Sequence, residues 1–147
     1  MTEREAVCDF RLAPLCSRRD MAMLGALHKL NLGQAPTQLA ALFPRLGRVV
    51  EPPLRQRLRH WRPLHTHQLG TPATPNSSQA LKRSLFGLVH CYNALPQTTV
   101  DAPSVKLFQR GLQAALSKLA AADQRGWQTL YAGGWKRFPR TKLDQLF

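Results

Sequence analysis

Acidic side chains are scarce in this 147-residue chain, which holds 8 Asp and Glu against 21 Lys and Arg, a formal net charge of +13. Two-metal phosphoryl chemistry needs clustered carboxylates to hold its ions. Apart from Glu3 and Glu5, the acids of this chain are not close neighbours in the sequence. The composition therefore argues against a metal-dependent phosphoryl-transfer site.

Long apolar runs are also missing, since none approaches the roughly 18–20 residues that span a bilayer. The N-terminus, MTEREAVCDF, lacks the positive start and apolar stretch of a signal peptide. Cys8, Cys16 and Cys91 form no close pair, which argues against a disulfide framework and fits a reducing compartment. We expect a soluble intracellular protein in which Cys91, set in an apolar helical pattern, is a small core residue.

Common catalytic motifs are absent as well: there is no Gly-rich phosphate loop followed by Lys and Ser or Thr, no GxSxG and no dinucleotide fingerprint. A nucleophile pair between Cys91 and His90 or His28 is formally open. Adjacent side chains of a helix point about 100° apart, so His90 is badly placed to serve Cys91. The sequence predicts no catalytic residue, no metal and no cofactor.

The chain does contain leucines at helical spacing. Residues 1–16 show no sustained period and are predicted to be irregular. Ser17 and Asp20 form a capping-box pattern, and Gly33 offers a C-terminal stop. A shorter helix is predicted between Pro36 and Pro44. The apolar seam of the first helix consists of Met21, Leu24, Leu27 and Leu30.

A second helical block follows later in the chain. Leu81, Leu85, Leu88, Tyr92 and Leu95 repeat at intervals of three or four until Pro96. A longer helix is predicted from Ser104 to about Ala122, with an extension through Trp127 and Tyr131 and a weak point at Gly126. Its apolar stripe is Val105, Phe108, Leu112, Ala115, Leu116 and Leu119.

These patterns divide a chain of single-domain length into five segments. They are an irregular N-terminal segment (1–16), a helical hairpin plus basic strip (17–63), a Pro/Thr/Ser-rich loop (64–79), C-terminal helices (80–132) and a basic aromatic tail (133–147). Short helices are marginal alone in water, so the hairpin is expected to pack on the later helices. The sequence predicts an all-α fold, a small domain of four to five helices with a long basic loop between two helical halves.

The basic strip carries most of the arginines of the first half and one acid, Glu51. Leu54, Leu58 and Trp61 favour an amphipathic helix, while alternating arginines suit a strand equally. Arginines interleaved with Trp61 can bind phosphates and stack on an unpaired base. The alternative is that Trp61 belongs to the core and the arginines form its solvated rim. The arginines are Arg45, Arg48, Arg55, Arg57, Arg59 and Arg62.

His60, His65 and His67 lie in HWRPLHTH, and three imidazoles within eight residues can bind zinc. Their spacing matches no common zinc site, and the surrounding arginines repel a cation. Partly protonated histidines on a phosphate-binding strip are the preferred interpretation.

The C-terminal GGWKRFPRTK places Trp135 and Phe138 among basic residues. This pattern suits a nucleic-acid contact or an aromatic anchor for a protein partner. The alternative is an exposed, disordered tail. The basic residues are Lys136, Arg137, Arg140 and Lys142.

Three stretches in a fixed order carry a resemblance: RRDMAMLGALHKLNLGQAPTQLAALFP, KRSLFGLVHCYNALP and SVKLFQRGL. Together they resemble the C-terminal region, beyond the polymerase core, of reverse transcriptases from non-LTR (LINE-type) retrotransposons. The resemblance covers roughly residues 11–120. It implies a mostly helical accessory region that helps to hold RNA template or target DNA, with Asn93 as a turn-forming residue and Pro96 as a stop. The catalytic Tyr/Phe-x-Asp-Asp motif of those polymerases is absent here, so the chain is not expected to be an enzyme.

The leading hypothesis is a basic, non-catalytic, nucleic-acid-binding module related to that region. A compact domain of this charge repels itself unless an anion binds it, and nucleic acid is the usual partner. The alternatives are a structural subunit of a large ribonucleoprotein or membrane complex, with protein partners, and a functionless mobile-element remnant. A nuclear location is expected if the chain derives from a mobile element. The predicted binding residues are Arg55, Arg57, Arg59, Trp61, Arg62, Lys136 and Arg137.

Overall fold

The structure, a computed structural model, describes residues 1–47, 65–70, 83–138 and 140–147. Two short 3-10 helices, Trp127–Thr129 and Gly134–Arg137, precede the last helix. The predicted all-α class is confirmed, although the described residues form seven α-helices rather than four to five. The elements are α1 (Glu3–Phe10), α2 (Leu15–Asn31), α3 (Thr37–Leu42), β1 (Arg45–Gly47), β2 (Gln68–Leu69), α4 (Leu85–Ala94), α5 (Gln97–Val100), α6 (Val105–Ala121) and α7 (Arg140–Leu146).

Helix α1 shows that the prediction of an irregular segment over 1–16 is wrong. Its first turn is closed by a capping box: Glu5 N donates to Thr2 Oγ1 at 3.2 Å, and Thr2 N donates to Glu5 Oε2 at 2.7 Å. Val7 is its one buried side chain, and it packs towards α6. A single buried residue produces no repeating apolar pattern, so the spacing of apolar residues does not predict this helix.

Helix α2 begins at Leu15, two residues before the Ser17 start that the sequence predicts. Pro14 is its N-cap residue and makes no side-chain cap. Ser17 and Asp20 are therefore inside the helix and completely buried, not a capping box. The Ser17 hydroxyl instead donates to the carbonyl of Gln128 at 2.8 Å. The predicted seam is buried as expected: Met21, Leu24, Leu27 and Leu30.

The core lies where α2 packs against α4 and α6. The axes of α2 and α6 approach closely at the buried Gly25, where an added Cβ would lie 3.2 Å from Val105 Cγ1 and would strike the Gln109 side chain. The predicted stripe of α6 faces this core. Its fully or nearly fully buried members are Phe108, Leu112, Ala115, Leu116 and Leu119.

Helix α6 ends at Ala121 and does not extend through Tyr131. Asp123 and Gly126 both adopt positive φ, 49° and 76°, which no continuing right-handed helix tolerates. Trp127 and Tyr131 are nevertheless buried, because the turns after α6 fold back onto the core. The weak point predicted at Gly126 is thus confirmed as a break in the chain direction.

Strands β1 and β2 form a short antiparallel pair with Arg45 opposite Leu69 and Gly47 opposite Gln68. The strand β2 corrects part of the loop predicted over 64–79. Residues 65–67 and 70 of that loop are described and flank β2, whereas residues 64 and 71–79 lie outside the described part of the chain.

Pro96 separates α4 from α5, in line with its expected role as a stop. Asn93, in contrast, is no turn residue: it lies in the last turn of α4, and its side chain binds β2. Cys91, on the same helix, is 2% exposed and is the core residue that the sequence predicts. Burial raises its pKa well above the usual thiol range, so it carries no nucleophilic thiolate.

Candidate nucleic-acid interface

All of the predicted arginine strip beyond Gly47 lies outside the described residues, so its five binding residues remain predictions. The chain on either side of it is firmly attached to the helical body. At the start of the strip, Arg45 donates to the carbonyls of Leu30 and Asn31 at 2.8 and 3.0 Å, so this arginine binds a helix end and not a phosphate. After it, residues 65–70 lie against α4. The five predicted binding residues of the strip are Arg55, Arg57, Arg59, Trp61 and Arg62.

The 65–70 segment is held by Asn93, whose side chain hydrogen bonds as a neighbouring strand would. Leu69 N donates to Asn93 Oδ1 at 3.0 Å, and Asn93 Nδ2 donates to Leu69 O at 2.8 Å. The Gln68 side chain adds a bond of 3.0 Å to the Asn93 carbonyl. Backbone groups on the inner side of the segment are therefore satisfied without a third strand.

A buried polar network lies beneath this segment and centres on Tyr92. The Tyr92 hydroxyl lies 3.0 Å from His28 Nδ1 and accepts from Asn31 Nδ2 at 2.8 Å. His28 Nε2 lies 2.8 Å from the Ala102 carbonyl, which can only accept. His28 is therefore protonated at Nε2, and Tyr92 donates to its Nδ1. Burial lowers the pKa of His28 and raises the pKa of Tyr92 to about 12, so both rings stay neutral.

His65 belongs to the same network, which we call the Tyr92 network: Tyr92, His28, Asn31 and His65. Its Nε2 donates to the Tyr92 carbonyl at 2.8 Å, and its Nδ1 accepts from His67 N at 3.0 Å. Burial lowers its pKa to about 4. The prediction of a partly protonated, phosphate-binding histidine is therefore wrong at His65. No ring lone pair of His65 is left for zinc, either.

The other two histidines of that motif differ in position. His67 is half-exposed, and its Nε2 lies 3.5 Å from Asp101 Oδ1. His60 lies outside the described residues.

Asp20 forms a buried ion pair with Arg83, whose Nη2 lies 3.6 Å from its Oδ2. Burial raises the pKa of Asp20, and the guanidinium of Arg83 partly offsets that rise. The expected role of Asp20 as a helix N-terminal acid is thus replaced by a tertiary contact. The pair fixes the start of the 83–138 segment to α2.

A cleft opens at the C-terminal end of the molecule, between the end of α6, the turns after it and α7. We call it the C-terminal cleft; its volume is about 130 Å³. Trp127, Leu130 and Phe138 form apolar walls, and all three are less than a tenth exposed. Three exposed cations line it as well: Arg125, Arg137 and Lys142.

The predicted tail residues thus meet different environments. Lys136 and Arg137 are exposed, as a binding role requires, but only Arg137 lines the cleft. Phe138 is buried and Trp135 packs partly buried against the core, so the described tail is folded rather than disordered. The side chain of Arg140 lies outside the described part. Sequence reasoning missed Arg125, because glycines mark the turns at residues 126 and 133 but do not show that these turns bring Arg125 and Arg137 to one cleft.

Some basic side chains donate hydrogen bonds to the carbonyls at helix ends and are therefore not available to a ligand. Arg4 donates to the Ala120 and Ala121 carbonyls at the end of α6, each at 3.0 Å. Lys118 does the same for Gln145 and Leu146 at the end of α7, at 3.4 and 3.1 Å. Together with Arg45 on α2, they neutralise the negative ends of three helices. We call Arg4, Arg45 and Lys118 the capping cations.

Several carboxylates accept hydrogen bonds from neutral amide groups. Glu5 accepts from the Thr2 backbone, Glu3 from the Gln128 amide at 3.4 Å, and Asp101 from the Gln97 amide at 2.7 Å. Asp20, which is completely buried, is paired instead with the cation Arg83. Among the described residues, these four acids form no ion pair with an exposed arginine or lysine.

Within the residues that the structure describes, no helix combines the length and apolarity that crossing a bilayer requires. Nor do the His, Cys, Asp and Glu side chains of those residues gather into a group of three suited to a metal ion. No protein-family model, curated protein or solved structure matches the chain.

Proposed function

We propose that this protein is a non-catalytic module that binds RNA or DNA through its phosphates. The observation that carries the proposal is the set of exposed basic side chains for which the described residues supply no acidic partner. A surface of that kind attracts a polyanion and gains free energy by releasing the counterions of its phosphates. The side chains are Arg11, Arg18, Lys29, Lys106, Arg110, Arg125 and Arg137.

The arginines between β1 and β2 add to this proposal on the basis of sequence. Arg55, Arg57, Arg59 and Arg62 stand in a stretch with one acid, Glu51. The described residues on either side of that stretch, Gly47 and His65, are hydrogen bonded within the folded body. The resemblance to the C-terminal region of non-LTR reverse transcriptases is consistent with this role and remains part of the proposal.

The proposal of binding without catalysis draws support from the state of the reactive side chains. The ring nitrogens of His28 and His65 bind carbonyls, a hydroxyl and a backbone amide within the fold. Cys91 and Tyr131 are buried, and burial raises the pKa of each. These groups therefore serve packing rather than proton transfer.

The salt dependence of affinity tests the proposed function. We expect a slope of log affinity against log salt of about −4 to −5 for six phosphate contacts, depending on strandedness. Fluorescence anisotropy with labelled single- and double-stranded RNA and DNA measures it. A flat response to salt would overturn the proposal. Arg110→Gln, which removes one exposed charge, should reduce the slope by about one unit or less.

A second candidate function is a structural subunit of a larger complex, and one observation favours it. Phe10, Leu12 and Leu15, around the turn between α1 and α2, are 63%, 52% and 75% exposed. Exposed apolar side chains close together are typical of protein contacts. A subunit should aggregate or unfold without cooperativity when isolated, and Phe10→Ser with Leu15→Ser should improve its solubility. A sharp, cooperative thermal transition of the isolated wild-type chain would argue against this candidate.

A further inference from the structure

We propose that the C-terminal cleft binds one phosphate group, with a terminal phosphate preferred to an internal one. This inference rests on the proposed function and assigns part of the binding to a defined site. It depends on the charge of the cleft, its size and the position of Arg137 above Gly126.

The charge of the cleft is the first argument. Arg125 comes from the turn after α6, Arg137 from a 3-10 helix and Lys142 from α7, so three separate segments bring cations to one opening. None of the described residues that line the cleft is acidic. Like charges that share an opening repel each other, and an anion between them removes that cost. Arginine also offers two parallel N–H donors, which match two phosphate oxygens.

The size of the cleft restricts the ligand to a small group. Its volume of about 130 Å³ is slightly below that of the roughly 150 Å³ engineered cavity that holds one benzene molecule. One phosphate group fits such a space, whereas a nucleotide with its sugar and base does not. Trp127 and Phe138 are 5% and 9% exposed, so neither ring offers an open face on which a base can stack. Binding here is therefore independent of sequence.

The position of Arg137 is the third argument. A Cβ added to Gly126 would lie 2.7 Å from Arg137 Nη1, so the guanidinium lies directly over the glycine backbone. Gly126 has a φ of 76°, which an L side chain rarely adopts. The positive φ favours glycine, and the missing side chain leaves room for the guanidinium at the edge of the cleft.

The number of cations favours a terminal phosphate. A phosphodiester carries one negative charge, while a phosphomonoester carries about 1.5 to 2 near neutral pH. Arg125, Arg137 and Lys142 together match the larger charge better. We therefore expect the end of a strand to bind at this site more tightly than its interior.

The experiment compares two short single-stranded oligonucleotides of one sequence, one with a 5′-phosphate and one with a 5′-hydroxyl, on the full chain. We expect the phosphorylated strand to bind at least about tenfold more tightly, which corresponds to the lower end of the range for one charge-assisted hydrogen bond. Arg137→Gln with Lys142→Gln should abolish that preference. Lys106→Gln with Arg110→Gln removes the same charge from the exposed face of α6, away from the cleft, and should weaken both strands equally while keeping the preference.

The outcomes separate this inference from the proposed function. If the cleft variant weakens both strands equally and more than the α6 control, the cleft holds an internal phosphate, and the terminal preference is wrong. If the cleft variant behaves like the control and the wild type shows no preference, the inference is overturned, although a steep salt slope would still support nucleic-acid binding. Circular dichroism of each variant, with the milder Arg137→Lys alongside, checks that the fold is intact.

Discussion

The Tyr92 network and the C-terminal cleft are both rich in polar side chains, but they treat those side chains in opposite ways. In the network, the ring nitrogens of His28 and His65 have partners inside the fold, and burial keeps both rings neutral. In the cleft, Arg125 and Arg137 are charged and exposed, and none of the described residues that line the cleft is acidic.

The difference separates two uses of polarity. A buried group whose hydrogen bonds are satisfied specifies one packing arrangement and is costly to disturb. An exposed cation without a partner adds little to folding stability, so its placement is free to serve a ligand. Substitutions in the network should therefore change stability, whereas substitutions in the cleft should change binding.

The largest difference is expected between Tyr92→Ala and Arg137→Gln. Removing the completely buried Tyr92 ring should lower the free energy of unfolding by about 3–5 kcal/mol, because a cavity remains and His28 and Asn31 lose their partner. Arg137→Gln should change it by less than about 0.5 kcal/mol. Urea unfolding followed by circular dichroism measures both. Equal effects would contradict the distinction between the two regions.

The pH dependence of stability should come mainly from the network. The pKa of His65 falls from 6.5 to about 4 on folding, which corresponds to about 3 kcal/mol. Below pH 6.5 the unfolded chain binds a proton that the folded chain rejects. This stability is therefore complete above pH 6.5 and is lost as the pH falls towards 4.

His28 acts in the same direction, whereas the raised pKa of Asp20 opposes it, because the folded state then holds a proton more tightly. Urea midpoints measured between pH 4 and pH 7 test the prediction. His65→Gln, which cannot titrate, should flatten the profile. An unchanged profile in that variant would show that His65 is not the source.

A smaller effect is expected at Asn93, which connects the network to β2. Asn93→Ala should cost about 1–3 kcal/mol, since it leaves the N–H and C=O of Leu69 without partners. In Asn93→Ala, hydrogen exchange at the Leu69 amide should be faster than in the wild type, while exchange at the amides of α6 should change less. Asn93→Asp keeps an acceptor for the N–H but loses the donor, so its exchange rate should be intermediate.

The smallest effect distinguishes the capping cations from the exposed ones. Arg4→Gln removes two bonds to the end of α6 and should cost up to about 1 kcal/mol. Arg110→Gln, at an exposed position within α6, should be nearly neutral. Thermal melts at low salt compare them. If both variants lose the same stability, Arg4 contributes only its charge and not its contacts.

The parts of the fold that the sequence predicts are those encoded by local spacing. Leucines three and four residues apart identify α2 and α6, because the same spacing that makes a stripe also makes one helical face. Glycine at positive φ marks the stop after α2 in the same local way, at Gly33. Helix α1, with one buried side chain, provides no such repeat.

Distant contacts account for what the sequence does not predict. Ser17 and Asp20 match a capping box, and only Gln128 and Arg83, far along the chain, reveal them as buried groups. The C-terminal cleft depends likewise on turns that bring Arg125 near Arg137. The arginine strip between β1 and β2 stays a prediction, as it lies outside the described residues.

The burial of Cys91 has a practical consequence, since the three thiols of the chain differ in accessibility: Cys8 is exposed and Cys16 is half-buried. An alkylating reagent should modify Cys8 first and reach Cys91 only when the core between α2, α4 and α6 opens. The rate of that slow modification then reports how often the native molecule visits its open form. The chain thus carries its own label for measuring ligand-induced protection, without any engineered probe.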